Sequence, residues 1–157
     1  MELPASAAKV QDHLTSLGLD FAVVTTPTTT RTAKEAADTL GCTVGQIVKS
    51  LLFKGTQSGR PILVIASGSN RVNERALGAM IGEPIVKPDA DFVRSATGFA
   101  IGGVPPVGFP EPIETWIDRD LLHYSEVWAA AGSPFAVFKL DPSALPKLTG
   151  GQVVEIV

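Results

Sequence analysis

The fold of this 157-residue chain is decided by an apolar stretch that contains one lysine, Gln46-Ile47-Val48-Lys49-Ser50-Leu51-Leu52-Phe53. The stretch predicts a half-buried strand, and a polar loop with two glycines joins it to a second strand over residues 61–67 as a hairpin. An ammonium group that faces a core is unfavourable unless it has a partner or a ligand. Lys49 therefore has two interpretations. It either reaches solvent from the sheet edge, or it is a fixed cation that binds a phosphate or polarises an ester carbonyl.

A second feature is the loop Gly102-Gly103-Val104-Pro105-Pro106, about fifty residues later. Its two glycines free the backbone and its two prolines stiffen it. Because proline has no N–H, the main-chain donors are restricted to Gly103, Val104 and the residues after Pro106. The loop is either an ordinary tight connection or a rigid set of N–H groups aimed at a substrate oxygen.

The remaining patterns predict a single α+β domain over residues 1–157, with helices around a curled, mixed, barrel-like sheet. Capping residues and apolar periodicity predict helices over residues 6–17, 33–40, 70–81 and 89–97, and a short one after Asp141-Pro142. Strands are predicted at residues 21–25, 47–53, 61–67, 99–101, 115–117, 127–130, 135–140 and 153–157.

Composition excludes several classes of protein. The chain is 45% hydrophobic and 18% charged, which is typical of a globular domain and not of a disordered one. No apolar stretch is long enough to span a membrane, and the N-terminus lacks the pattern of a signal peptide. One cysteine, Cys42, suits a reducing compartment, and a single cysteine with two histidines argues against a zinc site. We therefore expect a cytoplasmic protein without metal, cofactor or membrane association.

The charge distribution is uneven. The net charge is −3 overall, but residues 31–94 carry +3 between segments of −2 and −4. This middle third is either a normally solvated mixed surface or a local basic face. Arg71, at a predicted helix start, is either part of the cap or a phosphate contact. The residues of the candidate basic face are Arg31, Lys34, Lys49, Lys54, Arg71 and Arg75.

Asp118 follows an apolar strand. It is either a solvated turn carboxylate or a group that holds a substrate amine or orients a water. No serine, cysteine or histidine lies in the sequence context of a nucleophile. If the protein is an enzyme, a positioned water is therefore the expected nucleophile.

At these residues the chain resembles the YbaK/ProX/EbsC-type aminoacyl-tRNA editing domains, relatives of the domain inserted in bacterial prolyl-tRNA synthetases. The resemblance covers nearly the whole chain. Four segments in family order carry it: Thr32-Ala33-Lys34-Glu35-Ala36-Ala37, residues 45–53, residues 98–108 and Trp128-Ala129-Ala130-Ala131-Gly132-Ser133.

The resemblance implies hydrolysis, in trans and without metal, of the ester between a wrong amino acid and the 3′ end of a tRNA. Prolyl-tRNA synthetase is an implied partner. Lys49 matches the lysine of the family, where it would hold the substrate or stabilise developing negative charge. The segment from Gly102 to Pro106 matches its substrate-binding loop, in which the N–H groups of Gly103 and Val104 would contact the carbonyl or the ribose. Asp118 lies where relatives often have an aspartate.

The chain also departs from the cysteine-editing branch of that family. Thr26 stands where that branch tends to have an aromatic residue, Val137 where it has an acid, and Pro105 interrupts its loop pattern. These positions imply a more apolar pocket and leave an alanyl or another small substrate open besides a cysteinyl one. Two other classes remain: a catalytically silent module that binds tRNA or a synthetase, and an unrelated carbonyl-binding protein.

Overall fold

A computed structural model describes residues 3–157, so the predicted domain 1–157 also contains two residues, Met1 and Glu2, that lie outside the described residues. Within them the helices are α1 Ala5–Ser16, α2 Ala33–Leu40, α3 Glu74–Ile81, α4 Ala90–Thr97 and α5 Leu145–Thr149. The strands are β1 Val23–Thr25, β2 Ile47–Gly55, β3 Pro61–Ser67, β4 Ile85–Val86, β5 Glu114–Asp118, β6 Val127–Ala130, β7 Ala136–Leu140 and β8 Gln152–Val154. None of these helices is long and apolar enough to cross a membrane.

The eight described strands form one mixed sheet in the order β1-β7-β6-β2-β3-β5-β8, with β4 attached to β2. The predicted hairpin of β2 and β3 is antiparallel, and Lys49 is paired with Ala66. Strand β6 runs parallel to β2, and β5 runs parallel to β3. The prediction of a mixed sheet with surrounding helices is confirmed.

Strands β2 and β3 are covered on both faces, which explains their nearly continuous apolar sequence. Val48 and Leu52 pack into the larger hydrophobic cluster, together with α1 and the loop after α4. Leu51 and Phe53 pack into a second cluster, beneath α3. Because alternate residues of a strand share a face, Lys49 emerges on the side of Leu51 and Phe53.

The start of α2 is fixed by the predicted capping box. The Thr32 hydroxyl accepts from the Glu35 N–H at 3.1 Å, and the Glu35 carboxylate accepts from the Thr32 N–H at 3.2 Å. Gly41 ends the helix in the left-handed conformation, with φ of 70°. These contacts hold the N-terminal end of α2 in a constant position beside the candidate site described below.

Thr32→Ala is therefore expected to lower the free energy of unfolding by about 1 kcal/mol, because the Glu35 N–H loses its acceptor. Urea denaturation measures this change. Ser95→Ala, at an exposed position inside α4, is the control and should shift stability by less than about 0.5 kcal/mol. Equal stability of Thr32→Ala and the wild type would contradict the role of the cap.

Several predicted elements differ in the structure. The helix predicted from residue 70 begins at Glu74, because the Asn70 side chain is engaged by Asp118 and Asp120 and Asn73 caps the helix instead. No strand forms at residues 99–101. There the Gly103 N–H donates to the Ala100 carbonyl and closes a turn.

Two further points concern α3 and its surroundings. Met80 of α3 is 47% exposed, so not every apolar residue of this predicted helix faces the core. The short strand β4 was not predicted, since two residues are too few to show a period.

Candidate active site

The candidate site is a cavity of about 450 Å³ beside β2. Strand β6 pairs with β2 only at Ile47 and Val48, and β4 pairs with it only at Lys54 and Gly55. The cavity occupies the gap between these two partners, so all of residues 47–53 line it. The other lining residues are Thr30, Arg31, Thr32, Ala33, Lys87, Pro88, Val93, Ile101, Gly102, Val104 and Ala130.

Three loops around the cavity are held together by main-chain hydrogen bonds. The Gly132 N–H donates to the Gly103 carbonyl at 2.8 Å, and the Thr30 N–H donates to the Pro134 carbonyl at 2.7 Å. A Cβ atom on Gly103 would lie 2.8 Å from the Ser133 nitrogen, so this approach requires glycine. The rim of the cavity is therefore fixed by backbone contacts between segments that are far apart in the sequence.

Lys49 is half-buried in the wall of the cavity, and its Nζ donates to the main-chain carbonyl of Asn70 at 2.8 Å. Burial and the positive charges of Arg71 and Lys87 lower the pKa of Lys49 from its ordinary value of 10.5, while Asp118 opposes this change. The structure thus holds a partly desolvated ammonium group at one place, where it interacts strongly with negative charge.

Asp118 is buried, with 1% of its surface exposed, and it does not line the cavity. Its Oδ2 accepts from the Ser67 N–H at 2.9 Å and from Asn70 Nδ2 at 2.8 Å, and its Oδ1 accepts from the Asp120 N–H at 2.9 Å. Because the main-chain carbonyl of the same Asn70 accepts from Lys49, this residue links the buried carboxylate to the ammonium group. The carboxylate is neither solvated nor aimed into the cavity.

The loop after α4 contributes Gly102 and Val104 to the lining, with Gly102 at φ of 94°. The Gly103 N–H is already bonded to the Ala100 carbonyl at 3.1 Å. Over residues 3–157, in contrast, the Val104 N–H has no hydrogen-bond partner. Of the two predicted main-chain donors, the Val104 N–H is thus the one that is left unbonded, on a residue that lines the cavity.

The structure therefore brings together Lys49, Gly102 and Val104 among the predicted site residues. Pro106, at the end of the loop, is buried and is not part of the lining. Arg71 is exposed and acts on Lys49 through its charge.

Two positions singled out by comparison with the cysteine-editing branch also lie outside the lining. The Thr26 hydroxyl donates to the Thr28 carbonyl, and Val137 is buried in β7, where it pairs with Val24 and Ala130. The wall of the described cavity does not include either side chain.

Two cations of the lining were not predicted as site residues, Arg31 and Lys87. Arg31 appeared only within the general basic face, and Lys87 follows the unpredicted strand β4. Their proximity to Lys49 arises from three separate segments, so no local spacing in the sequence could have revealed it. Over residues 3–157 no group of three histidine, cysteine, aspartate or glutamate side chains is arranged to hold a metal ion.

Comparison with known proteins identifies the family to which this chain is similar. Residues 27–148, which include every residue that lines the cavity, match the family described as aminoacyl-tRNA editing domain. The chain belongs to this family.

Among similar proteins of known sequence, the uncharacterized protein YwhH of Bacillus subtilis is 28% identical to this editing domain over 148 residues, which cover 94% of each chain. EbsC of Enterococcus faecalis, named as a candidate Cys-tRNA(Pro)/Cys-tRNA(Cys) deacylase, is 28% identical over 79% of this chain and 76% of its own. A crystal structure described as a candidate trans-editing enzyme for prolyl tRNA synthetase superposes with a TM-score of 0.93 and 47% identity. That match covers 99% of this chain and 98% of the other.

Because the match covers 99% of this chain, the segments that line the cavity belong to the fold shared with that structure. Its walls combine apolar side chains with three cations, Arg31, Lys49 and Lys87. Such a site can accept a small neutral group and an adjacent anion together.

Proposed function

We propose that this editing domain hydrolyses the ester of a misacylated tRNA in trans, and that its substrate is tRNA for proline carrying a small wrong amino acid such as alanine or cysteine. The observation that carries the proposal is the presence of a fixed ammonium group, Lys49, and an unbonded main-chain donor, the Val104 N–H, in the lining of one cavity. The family and its relatives named for deacylation and for editing in trans support the same reaction.

In the proposed reaction a water attacks the ester carbonyl. Its oxygen bonds to the carbonyl carbon, the bond to the ribose oxygen breaks, and that oxygen leaves with a proton, giving the free amino acid and intact tRNA. Negative charge develops on the carbonyl oxygen, and Lys49 and the Val104 N–H stabilise it. No side chain of the chain is required to form a covalent intermediate, and the proposed reaction requires no metal ion.

The size and polarity of the site support a small aminoacyl group. Val48, Leu52, Val93 and Val104 form an apolar wall, and the lining contains no carboxylate that would attract a charged side chain. The cavity of about 450 Å³ must also admit part of the terminal nucleotide. A pocket of this kind discriminates by size, and one methylene in such a pocket changes selectivity only about 10- to 200-fold.

A deacylation assay with a panel of tRNAs tests the proposal. Alanyl- and cysteinyl-tRNA for proline are expected to be hydrolysed above the uncatalysed rate, and prolyl-tRNA is expected to be spared. If no ester is hydrolysed but the tRNA binds in a salt-sensitive way, the domain is a binding module and the proposed activity is wrong.

The cations at the cavity give a second prediction, about affinity. Arg31→Ala combined with Lys87→Ala is expected to lower the salt slope of tRNA binding by about two, because each side chain neutralises a phosphate. Binding measured at several salt concentrations gives this slope. Lys147→Ala changes an exposed lysine of α5 outside the cavity and is the matched control. An equal effect of the control would show that only overall charge matters.

A further inference from the structure

The outer edge of β2 has no partner strand along the cavity. Strand β3 pairs with β2 from Val48 to Lys54, whereas the opposite edge is covered only at its ends, by β6 and by β4. Residues 49–53 therefore expose an edge to the cavity, not to a neighbouring strand. A strand edge of this kind presents main-chain N–H and C=O groups that need hydrogen-bond partners.

The direction of these groups follows from two hydrogen bonds at the ends of the hairpin. The Ile47 carbonyl accepts from the Gly68 N–H at 2.7 Å, and the Gly55 N–H donates to the Arg60 carbonyl at 3.0 Å. In an antiparallel pair, residues turn their peptide groups toward the partner strand alternately. Odd-numbered residues of β2 therefore face β3, and the N–H and C=O groups of Ser50 and Leu52 face the gap.

The cavity lining has few side-chain acceptors, so the main-chain carbonyl groups of Ser50 and Leu52 are the candidates to bind a donor of the substrate. An aminoacyl ester carries an α-amino group, which is a hydrogen-bond donor, yet the lining holds three cations and no carboxylate. Each of the two threonine hydroxyls of the lining already has one hydrogen-bond partner, because Thr30 donates to the Pro134 carbonyl and Thr32 accepts from the Glu35 N–H. Asp118, an alternative acceptor, is buried away from the cavity with both oxygens bonded.

Ser50 has a second unusual property. Its Oγ is buried and has no hydrogen-bond partner within residues 3–157, where the only other such side-chain atom is Arg60 Nε. Buried hydroxyl groups are normally bonded, and an exception calls for an explanation. Ser50 therefore combines an unbonded side-chain hydroxyl with main-chain N–H and C=O groups on an unpaired strand edge. Both features indicate that a ligand binds here.

We propose that the unpaired edge of β2 recognises the α-amino group of the substrate, which donates a hydrogen bond to the main-chain carbonyl oxygen of Ser50, with that of Leu52 as the next acceptor along the edge. The inference rests on the proposed deacylation, and it names the group that distinguishes an aminoacyl ester from other esters at the same site. The aminoacyl group thereby occupies the position that a further residue of the parallel strand β6 would hold beside β2. Because the acceptors belong to the backbone, no acidic residue is required.

The first experiment compares alanyl-tRNA with propionyl-tRNA, in which a hydrogen replaces the amino group, and with N-acetylalanyl-tRNA, in which the nitrogen is acylated and uncharged. For each ester, kcat/KM is divided by its uncatalysed rate, which removes differences in intrinsic reactivity. We expect the two modified esters to lose about tenfold or more, as for a hydrogen bond that involves a charged group. Hydrolysis of all three with equal efficiency would overturn the inference and leave the deacylase function intact, whereas hydrolysis of none would overturn the function.

A second experiment does not depend on turnover. The probe is 3′-deoxy-3′-(alanylamino)adenosine, an amide that the enzyme cannot hydrolyse as an ester, and its propionyl counterpart, which has no amino group, is the control. Carbonyl-carbon NMR is expected to show shifts at Ser50 or Leu52 with the alanyl probe that are absent with the control. Shifts at a side-chain carboxylate instead, or identical shifts with both probes, would assign the amino group to another acceptor.

Discussion

Lys49→Met is expected to lower kcat of deacylation by about 100- to 1,000-fold, the usual effect of removing one donor to a developing oxyanion. Methionine has a similar length and no charge, so the cavity keeps its shape. The fold should survive, because the ammonium group is partly desolvated and lies near Arg71 and Lys87, which makes it unfavourable for stability. Single-turnover hydrolysis of alanyl-tRNA measures the rate, and thermal unfolding measures the stability.

Lys49→Arg is the matched variant, since it keeps the charge but presents it on a planar group. Partial activity of this variant, together with loss in Lys49→Met, would assign the effect to charge. Activity of a folded Lys49→Met protein near that of the wild type would remove Lys49 from the mechanism.

The pH dependence of the same residue has a definite sign. The pKa of Lys49 in the folded protein is below its ordinary value of 10.5, so the folded protein releases this proton before the unfolded chain does. Burial of the charged group therefore costs stability at neutral pH, and this cost decreases as the pH rises from the folded pKa toward 10.5. Catalysis needs the charged form of Lys49. The ratio of the enzyme-catalysed rate to the uncatalysed rate should therefore fall as the pH rises through the folded pKa. This fall should be absent in Lys49→Met.

Asp118→Ala is expected to lower the free energy of unfolding by about 3 kcal/mol, because it leaves the buried Ser67 N–H and part of the Asn70 amide without acceptors. We propose that Asp118 is a positioning residue, which fixes Asn70 and through it the ammonium group of Lys49. Asp118→Asn should also be destabilised, since all three contacts of the carboxylate are with donors and an amide nitrogen cannot accept. Urea denaturation measures both changes.

The effect on catalysis separates positioning from general stability. In Asp118→Ala assayed well below its unfolding temperature, kcat should fall while KM changes little, and the pH at which the rate falls should shift, because the contact of Lys49 with Asn70 loosens. Asp120→Ala removes only one acceptor of the Asn70 amide and is the milder control. A normal kcat and pH profile in folded Asp118→Ala would leave this residue a purely structural role.

The hairpin of β2 and β3 shows how much of the fold local sequence patterns can predict. Residues 47–53 and 61–67 were predicted as paired strands from their apolar sequence and the polar loop between them, and β2 and β3 confirm this. The capping box at Thr32 was likewise visible, since it requires only residues three positions apart. Residues 99–101 were misread because Phe99 is buried without belonging to a strand, and burial alone gives the same apolar signal.

The order of residues along the chain determined by itself the strand that carries Lys49, the helices with their caps, and the stiff loop from Gly102 to Pro106, because each depends on neighbours within a few positions. Only the tertiary structure decided that β6 and β4 leave the edge of β2 open between them and that Arg31 and Lys87 meet at this gap. It also decided that Asp118 turns inward to Asn70 and away from the cavity. Such contacts join segments that are separated by tens of residues, and their positions follow from how the sheet is ordered and packed, which no local pattern encodes.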